Sequence, residues 1–226
     1  MTDLDCVAFG PLTISYDPDG LRPRDWTRMQ SAWAAELLSD LPEGDVLELC
    51  AGVGHIGLLA LVEADRSESR GRRNLVQVDE DETVCRLAER NARDAGLAER
   101  VDVRRGTAED CLDREERFAL VMADPPWVPA DRVGDYPSDP PQAIDGGSDG
   151  LEVVRALLPV VERHVTASGA ALLQVGGPDQ AAAVRRILER TGSSLSVVEC
   201  REAPAPDEGA VVLLAPRVHG AARERR

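Results

Sequence analysis

Short apolar runs alternating with longer amphipathic stretches constrain this chain more than any other feature of its sequence. DVLELC (residues 45–50), NLVQVD (74–79), RVDVRR (100–105), FALVMAD (118–124) and GAALLQVG (169–176) read as strands. Residues 25–41, 56–64, 81–95, 150–166 and 178–190 read as helices. Strands separated by helices predict parallel βαβ units, so the fold expected is α/β. LSVVECREA (195–203) and AVVLLAPR (210–217) flank PAPDEG and read as a closing antiparallel hairpin. No repeat or linker interrupts the pattern. Residues 137–150, rich in Pro, Gly and Asp, read as an active-site loop rather than a boundary.

A chain of 226 residues is long enough for one sizeable core. The expected division is an N-terminal extension over residues 1–20, one domain over 21–217 and a basic, disordered tail over 218–226. No apolar run approaches the roughly 20 residues of a membrane span, and the first ten residues carry no basic start and apolar block. The expectation is therefore a cytoplasmic protein without a membrane partner. The five cysteines are scattered without zinc spacing, which predicts reduced, mostly buried thiols and no metal site. Acids outnumber bases 41 to 26, a formal charge of −15 that weighs against nucleic acid as a partner. Every base is Arg, so catalysis through a lysine amine is excluded. The basic cluster RSESRGRR (66–73) reads as a solvated loop.

Two turns carry the chemistry. In ELCAGVGHIG (48–57), Gly52 and Gly54 permit a tight turn close to a ligand, and the following helix offers free N–H groups. Asp79 ends the second strand 25 positions after Gly54, where a carboxylate accepts hydrogen bonds from ribose hydroxyls. Gly52, Gly54 and Gly57 also satisfy the dinucleotide pattern, so the turn alone leaves the cofactor open. In LVMADPPWVP (120–129), Pro125 and Pro126 cannot donate to a ladder, and the strand stops at Asp124. Asp124 and Trp127 then lie at the carboxyl edge of the sheet, where ligands of open α/β folds bind.

VLELCAGVGHIGLLAL, VQVDEDETVCRLAERNARDAGLAERVDVRRGTAED and LVMADPPWVP resemble, in this order, the nucleotide-binding and catalytic motifs of class I S-adenosylmethionine-dependent methyltransferases. LRPRDWT resembles the P-R-x-x-T segment, and AIDGGSDGLEVVRALLP the D-G-G-x-D-G-L segment, of HemK/PrmC-type protein-glutamine N-methyltransferases. The likeness covers residues 21–176. It implies a Rossmann-like seven-stranded sheet, parallel with a C-terminal antiparallel hairpin and helices on both faces. The implied cofactor is S-adenosyl-L-methionine.

The resemblance assigns Glu48 to holding the turn near the methionine amino group, Gly52 and Gly54 to its floor, and Asp79 to the ribose with Glu80 beside it. Thr107 and Ala108 fall where the family contacts adenine, with Thr107 replacing a usual Asp. Arg24 and Thr27 fall near the cofactor mouth. Asp124, Pro125 and Trp127 stand in the N-P-P-Y substrate motif as D-P-P-W, a form that also resembles adenine-N6 methyltransferases. Release-factor methyltransferases carry a helical domain before P-R-x-x-T, whereas about 20 residues precede it here. The expectation from this departure is a chain without the docking device for that substrate. The acceptor favoured is a protein side chain such as glutamine, with nucleic acid or a small metabolite as alternatives. An NAD-type oxidoreductase and a non-catalytic binding module are the readings of other classes. Oligomeric state is not legible.

Methyl transfer from a sulfonium is an in-line displacement, so the protein chiefly positions an acceptor lone pair about 3 Å from the methyl carbon. An amide or aryl amine is a poor nucleophile. Asp124 and the Pro125 carbonyl would accept its two N–H bonds, which strengthen as positive charge develops on nitrogen. Trp127 would stack on the planar group. Residues 145–150 resemble a family loop that closes near the substrate.

Overall fold

Every apolar run named above is a strand in the computed structural model, which describes residues 4–66, 71–204 and 209–217. A hairpin of β1 (Asp5–Phe9) and β2 (Leu12–Tyr16) comes first, and a 3-10 turn at Asp25–Thr27 leads into α1 (Arg28–Asp40). Then follow β3 (Val46–Leu49), α2 (His55–Arg66), β4 (Leu75–Asp79), α3 (Glu82–Asp94), β5 (Val101–Arg105) and the single turn α4 (Ala108–Cys111). The second half comprises β6 (Phe118–Ala123), the short α5 (Pro141–Ile144), α6 (Glu152–His164), β7 (Val165–Val175), α7 (Pro178–Thr191), β8 (Leu195–Glu202) and β9 (Ala210–Pro216). β3 to β9 form one sheet in the order β5-β4-β3-β6-β7-β9-β8. β9 runs antiparallel to both its neighbours, and the remaining pairs are parallel. This is the Rossmann-like seven-stranded α/β sheet expected from the sequence.

The inner strands read as largely apolar runs because both faces are covered, with β3 and β6 buried along their whole length, while the edge strands β5 and β8 keep charged residues at exposed positions. Side chains alternate between two layers. Val121, Leu173 and Val212 pack with Val154, Leu158, Val184 and Leu188 of α6 and α7. Leu120, Met122 and Leu172 pack with Trp33, Leu58 and Leu61 of α1 and α2. Each such side chain contributes about 1.5–3 kcal/mol by leaving water.

Several expectations need correction. Within the stretch expected as an N-terminal extension, residues 5–16 form the β1–β2 hairpin, which docks on α3 through Asn91. The Asn91 amide accepts from Ser15 N at 2.9 Å and donates to Ser15 O at 3.0 Å and Val53 O at 2.9 Å. Phe9, Ile14 and Tyr16 pack there with Val53, Leu59 and Leu87. The helix expected to reach residue 166 ends at His164, and β7 starts at Val165. The β-branched pair Val165 and Thr166 favours the strand, and a register shift between Phe118 and Leu120 admits the extra residues. The thiols are free but not mostly buried: Cys85 is buried, whereas Cys6 and Cys200 are exposed. Arg73 does not belong to a solvated loop. It is buried, and its guanidinium donates to the carbonyls of Leu38, Leu41, Pro42 and Gly44 around the C-terminal end of α1. Residues 67–70, 205–208 of the closing hairpin's turn and the 218–226 tail lie outside the described residues. No helix among the described residues is long and apolar enough to cross a membrane.

Candidate active site

The chain leaves β3 through a turn in which Cys50 (φ 53°), Gly52 (φ 53°) and Gly54 (φ 79°) all adopt positive φ. Glu48, only 2% exposed, braces this turn from below. Its Oε1 accepts from Gly57 N at 3.1 Å and its Oε2 from Gln77 Nε2 at 2.7 Å. Gln77 Nε2 also reaches Gly54 O at 3.0 Å. A Cβ at Gly54 would stand 2.6 Å from Gln77 Nε2, and one at Gly57 would stand 2.4 Å from Glu48 Oε2. These two glycines answer to internal packing. Gly52 differs: a Cβ there would meet nothing within 4 Å, so the turn faces open space at that residue. Burial pushes the Glu48 carboxyl up to about 8, against the Gln77 and Gly57 hydrogen bonds, and the charges of Asp124 and Asp79 add to the rise.

Asp79 closes β4 beside the same turn. Its Oδ2 accepts from Gly52 N at 2.8 Å and its Oδ1 from Asp81 N at 3.0 Å, and burial raises its pKa. Glu80 next to it is exposed. Gly106 N donates to Asp79 O at 2.9 Å, which brings the end of β5 alongside. There Thr107 caps α4: its Oγ1 accepts from Asp110 N at 3.2 Å and donates to Asp110 Oδ2 at 2.7 Å. Ala108 is half-buried and packs against the apolar layer beneath.

Across the sheet, β6 delivers Asp124 to its carboxyl edge, with Asp124 N donating to Leu49 O at 3.4 Å. Among the described residues nothing hydrogen-bonds to the Asp124 carboxylate. Burial pushes it up to about 7, opposed by the charge of Arg24. It borders a cleft of about 330 Å³ whose walls include Arg24, Trp26, Thr27, Pro125, Trp127 and Gln174. Arg24 forms an ion pair with Asp139 across the rim. The Thr27 hydroxyl donates to Arg24 O at 2.8 Å and lies 3.4 Å from His55 Nε2. Burial pushes His55 down to about 4, so the imidazole is neutral against the edge of Phe9, 4.9 Å away.

The D-P-P-W segment is strapped in place. Gln180 Nε2 donates to Trp127 O at 2.9 Å and Asp149 O at 3.1 Å, while its Oε1 accepts from Gly176 N at 2.7 Å. Gly146 N donates to Val128 O and Ala130 N to Gly147 O, both at 2.8 Å. Residues 145–150 thus run beside residues 127–130 and support that wall of the cleft. A larger hollow of about 560 Å³ opens at the amino ends of the strands, lined by Asp45, Asn74, Val101 and Phe118. Of its three arginines, Arg100 pairs with Asp65 and Arg104 with Glu116, and Arg117 donates to the carbonyls of Arg114 and Glu116. It carries no arrangement comparable to the carboxyl edge.

The sequence-predicted residues therefore gather at one edge in two groups. Glu48, Gly52, Gly54 and Asp79 form the turn; Asp124, Pro125, Trp127, Arg24 and Thr27 form the cleft. Glu80 stands at the surface, and the Thr107 hydroxyl is engaged as a cap. Gln77, Gln174, Gln180 and Asp139 escaped the sequence reading. A visible signal existed for the first two, a glutamine inside the apolar runs LVQVD and ALLQVG.

Comparison with known proteins finds relatives in sequence and in fold. The family described as Conserved hypothetical protein 95 matches residues 14–133, more than half of the chain. A release factor glutamine methyltransferase of Pseudomonas aeruginosa is 40% identical over 119 residues, 51% of this chain and 42% of the relative. A ribosomal protein uL3 glutamine methyltransferase of Bradyrhizobium diazoefficiens is 33% identical over 135 residues, 58% of this chain and 40% of the relative. The chain thus spans about two fifths of the length of these curated relatives. The crystal structure of a ribosomal protein L11 methylase from Lactobacillus delbrueckii subsp. bulgaricus shares the fold, with a TM-score of 0.62 at 14% identity over 89% of this chain and 84% of that one. With the fold of the class I methyltransferases and a sequence related to glutamine methyltransferases, the chain belongs to the Conserved hypothetical protein 95 family.

Proposed function

We propose that this chain is an S-adenosylmethionine-dependent N-methyltransferase acting on an amide or amine nitrogen, most specifically a protein glutamine side chain. The carrying observation is the Asp124 carboxylate, set at the carboxyl edge of β6 without a hydrogen-bond partner among the described residues, in a cleft beside the glycine turn. The glutamine methyltransferases named above support the class of acceptor. The alternatives of an oxidoreductase or a non-catalytic module leave this carboxylate and the braced Trp127 without a task.

The residues fit the cofactor where it can be tested. The turn is open at Gly52 while Gly54 and Gly57 are closed by packing, and Asp79 is fixed by backbone N–H groups at the turn's side. Gly52, Gly54 and Asp79 would hold the methionine and ribose ends, with Glu48 bracing the turn beneath them. Thr107 and Ala108 would border the adenine and Glu80 the ribose, while Arg24 and Thr27 would stand at the mouth. When bound, the cofactor supplies an electrophilic methyl group on a sulfonium sulfur. Asp124 and the Pro125 carbonyl would accept N–H bonds from the acceptor nitrogen, and Trp127 would provide a planar wall. The formal charge of −15 favours a protein or small-molecule acceptor over free nucleic acid.

The test is transfer of labelled methyl from S-adenosylmethionine into a cell extract, followed by protease, nuclease and small-molecule extraction. Label released by protease and recovered as N-methylglutamine is expected. Label released by nuclease reassigns the acceptor, and no incorporation overturns the reading.

A further inference from the structure

Resting on the reading of the carboxyl-edge cleft as the methyl-acceptor site, we infer that Gln174 is a specificity-determining residue. Its side-chain amide donates a hydrogen bond to an acceptor atom next to the methylated nitrogen, selecting a primary carboxamide over a simple amine. Gln174 lies in β7, is 2% exposed, and contributes to the cleft wall with Asp124. Its side chain hydrogen-bonds to no described residue. Oε1 is sealed from solvent without a partner, which leaves Nε2 as the end of the amide that meets the open cleft.

Two other buried glutamines show what a structural role looks like in this fold. Gln77 Nε2 joins Glu48 to Gly54 O, and Gln30 Nε2 donates to Ala123 O and Leu172 O, both at 3.2 Å. Each amide ties strands or turns together. All three glutamines leave Oε1 without a partner, and what sets Gln174 apart is that its Nε2 pairs with no described residue either. Buried polar groups are as a rule hydrogen-bonded, and for Gln174 Nε2 the cleft is where a partner can come from.

Register decides the geometry. Ala123 of β6 is paired with Leu173 of β7, so Asp124 and Gln174 are the next step along two neighbouring strands about 4.8 Å apart. Met122 and Leu172, two positions before each, both face the α1 layer. By alternation Asp124 and Gln174 project toward that same side. The cleft floor therefore presents a carboxylate acceptor and an amide donor side by side. A primary carboxamide matches the pair: its N–H meets Asp124, its carbonyl oxygen meets Gln174 Nε2. An alkylamine offers the N–H groups and no adjacent acceptor, which would leave Gln174 unpaired, and that loss discriminates strongly in a buried site.

The experiment uses the full chain with two peptide pools of random flanking sequence, one with a single central glutamine and one with a single central lysine. Gln174→Met keeps side-chain volume and removes both polar atoms; Gln174→Glu keeps an acceptor and loses the donor. Melting temperature and calorimetric affinity for S-adenosylhomocysteine are measured alongside, because a merely structural residue would move both. The wild type is expected to methylate the glutamine pool. Both variants should lose about tenfold or more in kcat/KM on it, with melting temperature and cofactor affinity unchanged. Wild-type kcat/KM in either variant overturns the donor role while leaving methyl transfer intact, as does wild-type preference for the lysine pool. Should Gln174→Met unfold, Gln174→Glu alone decides. Transfer to neither pool overturns the carboxamide acceptor and this inference with it, while labelling of the cell extract separately decides methyl transfer itself.

Discussion

Gly52 N donates to Asp79 Oδ2 at 2.8 Å, so the carboxylate that ends β4 fixes the turn that leaves β3. A change at either residue should therefore act on the same binding surface. Asp79→Ala and Gly52→Val are each expected to weaken S-adenosylmethionine binding by about 1–3 kcal/mol without unfolding the chain. Gly52→Val places a side chain into the space left open above a backbone with φ of 53°. Calorimetry on the purified variants measures the effect, and unchanged affinity in both would remove the cofactor assignment.

Gly57 offers a test whose sign is informative. A glycine inside a helix is usually improved by alanine, by about 1 kcal/mol. Here the added Cβ would stand 2.4 Å from Glu48 Oε2 and 2.8 Å from Leu75 Cδ2. Gly57→Ala is expected to destabilise by about 1–3 kcal/mol instead. Urea unfolding decides between the two signs.

The acids under the site predict the pH dependence of stability. Glu48 moves from 4.5 up to about 8 through burial, so the folded chain retains a proton that the unfolded chain has released. The stabilisation from this neutral carboxyl is fully present below about pH 4.5 and is lost as pH rises toward 8. Unfolding free energy should fall across that window, and Glu48→Gln should flatten the slope by up to about 1.4 kcal/mol per pH unit. Parallel slopes in the two proteins would contradict a buried, neutral Glu48.

Asp124 titrates at about 7 in the folded chain, and the ionised form is the better acceptor for an N–H bond. Single-turnover methyl transfer should rise with pH through about 7 in the wild type. Asp124→Asn keeps one acceptor oxygen and should retain part of the rate, without that rise. Asp124→Ala should raise the barrier by about 2–4 kcal/mol with cofactor affinity unchanged. An Ala variant at wild-type rate would end the assignment of this residue.

Gly150 carries φ of 73°, and a Cβ there would stand 2.1 Å from Trp127 O and 2.3 Å from Gln180 Nε2. Gly150→Ala is expected to push the Trp127 wall out of place, lowering transfer about tenfold, roughly 1.4 kcal/mol, while sparing cofactor binding. Stopped-flow transfer and calorimetry on the same sample separate the two effects.

The inner parallel strands were legible because they are buried on both faces and so read as largely apolar runs, whereas the edge strand β5 was legible by its alternation of Val with charged residues. The two turns were legible because Gly and Pro restrict the backbone locally, whatever surrounds them. The β1–β2 hairpin was not, since it is secured by Asn91, 76 positions from Ser15. For the same reason Asp139 was invisible: its ion pair with Arg24 spans 115 positions. Gln174 stood in plain view as a polar residue in an apolar strand, but whether such an amide ties the core together or looks into a cleft depends on its neighbours in three dimensions.

The place of β9 between β7 and β8 has a consequence for the order of assembly. Among the described residues β8 pairs with β9 alone, so residues 195–202 have no described strand to pair with until residues 210–216 arrive. Until then β7 presents an open edge carrying apolar side chains, a template for pairing with other chains. The strand inserted last seals both partners in a single step, so a chain arrested before it lacks two strands of the sheet rather than one.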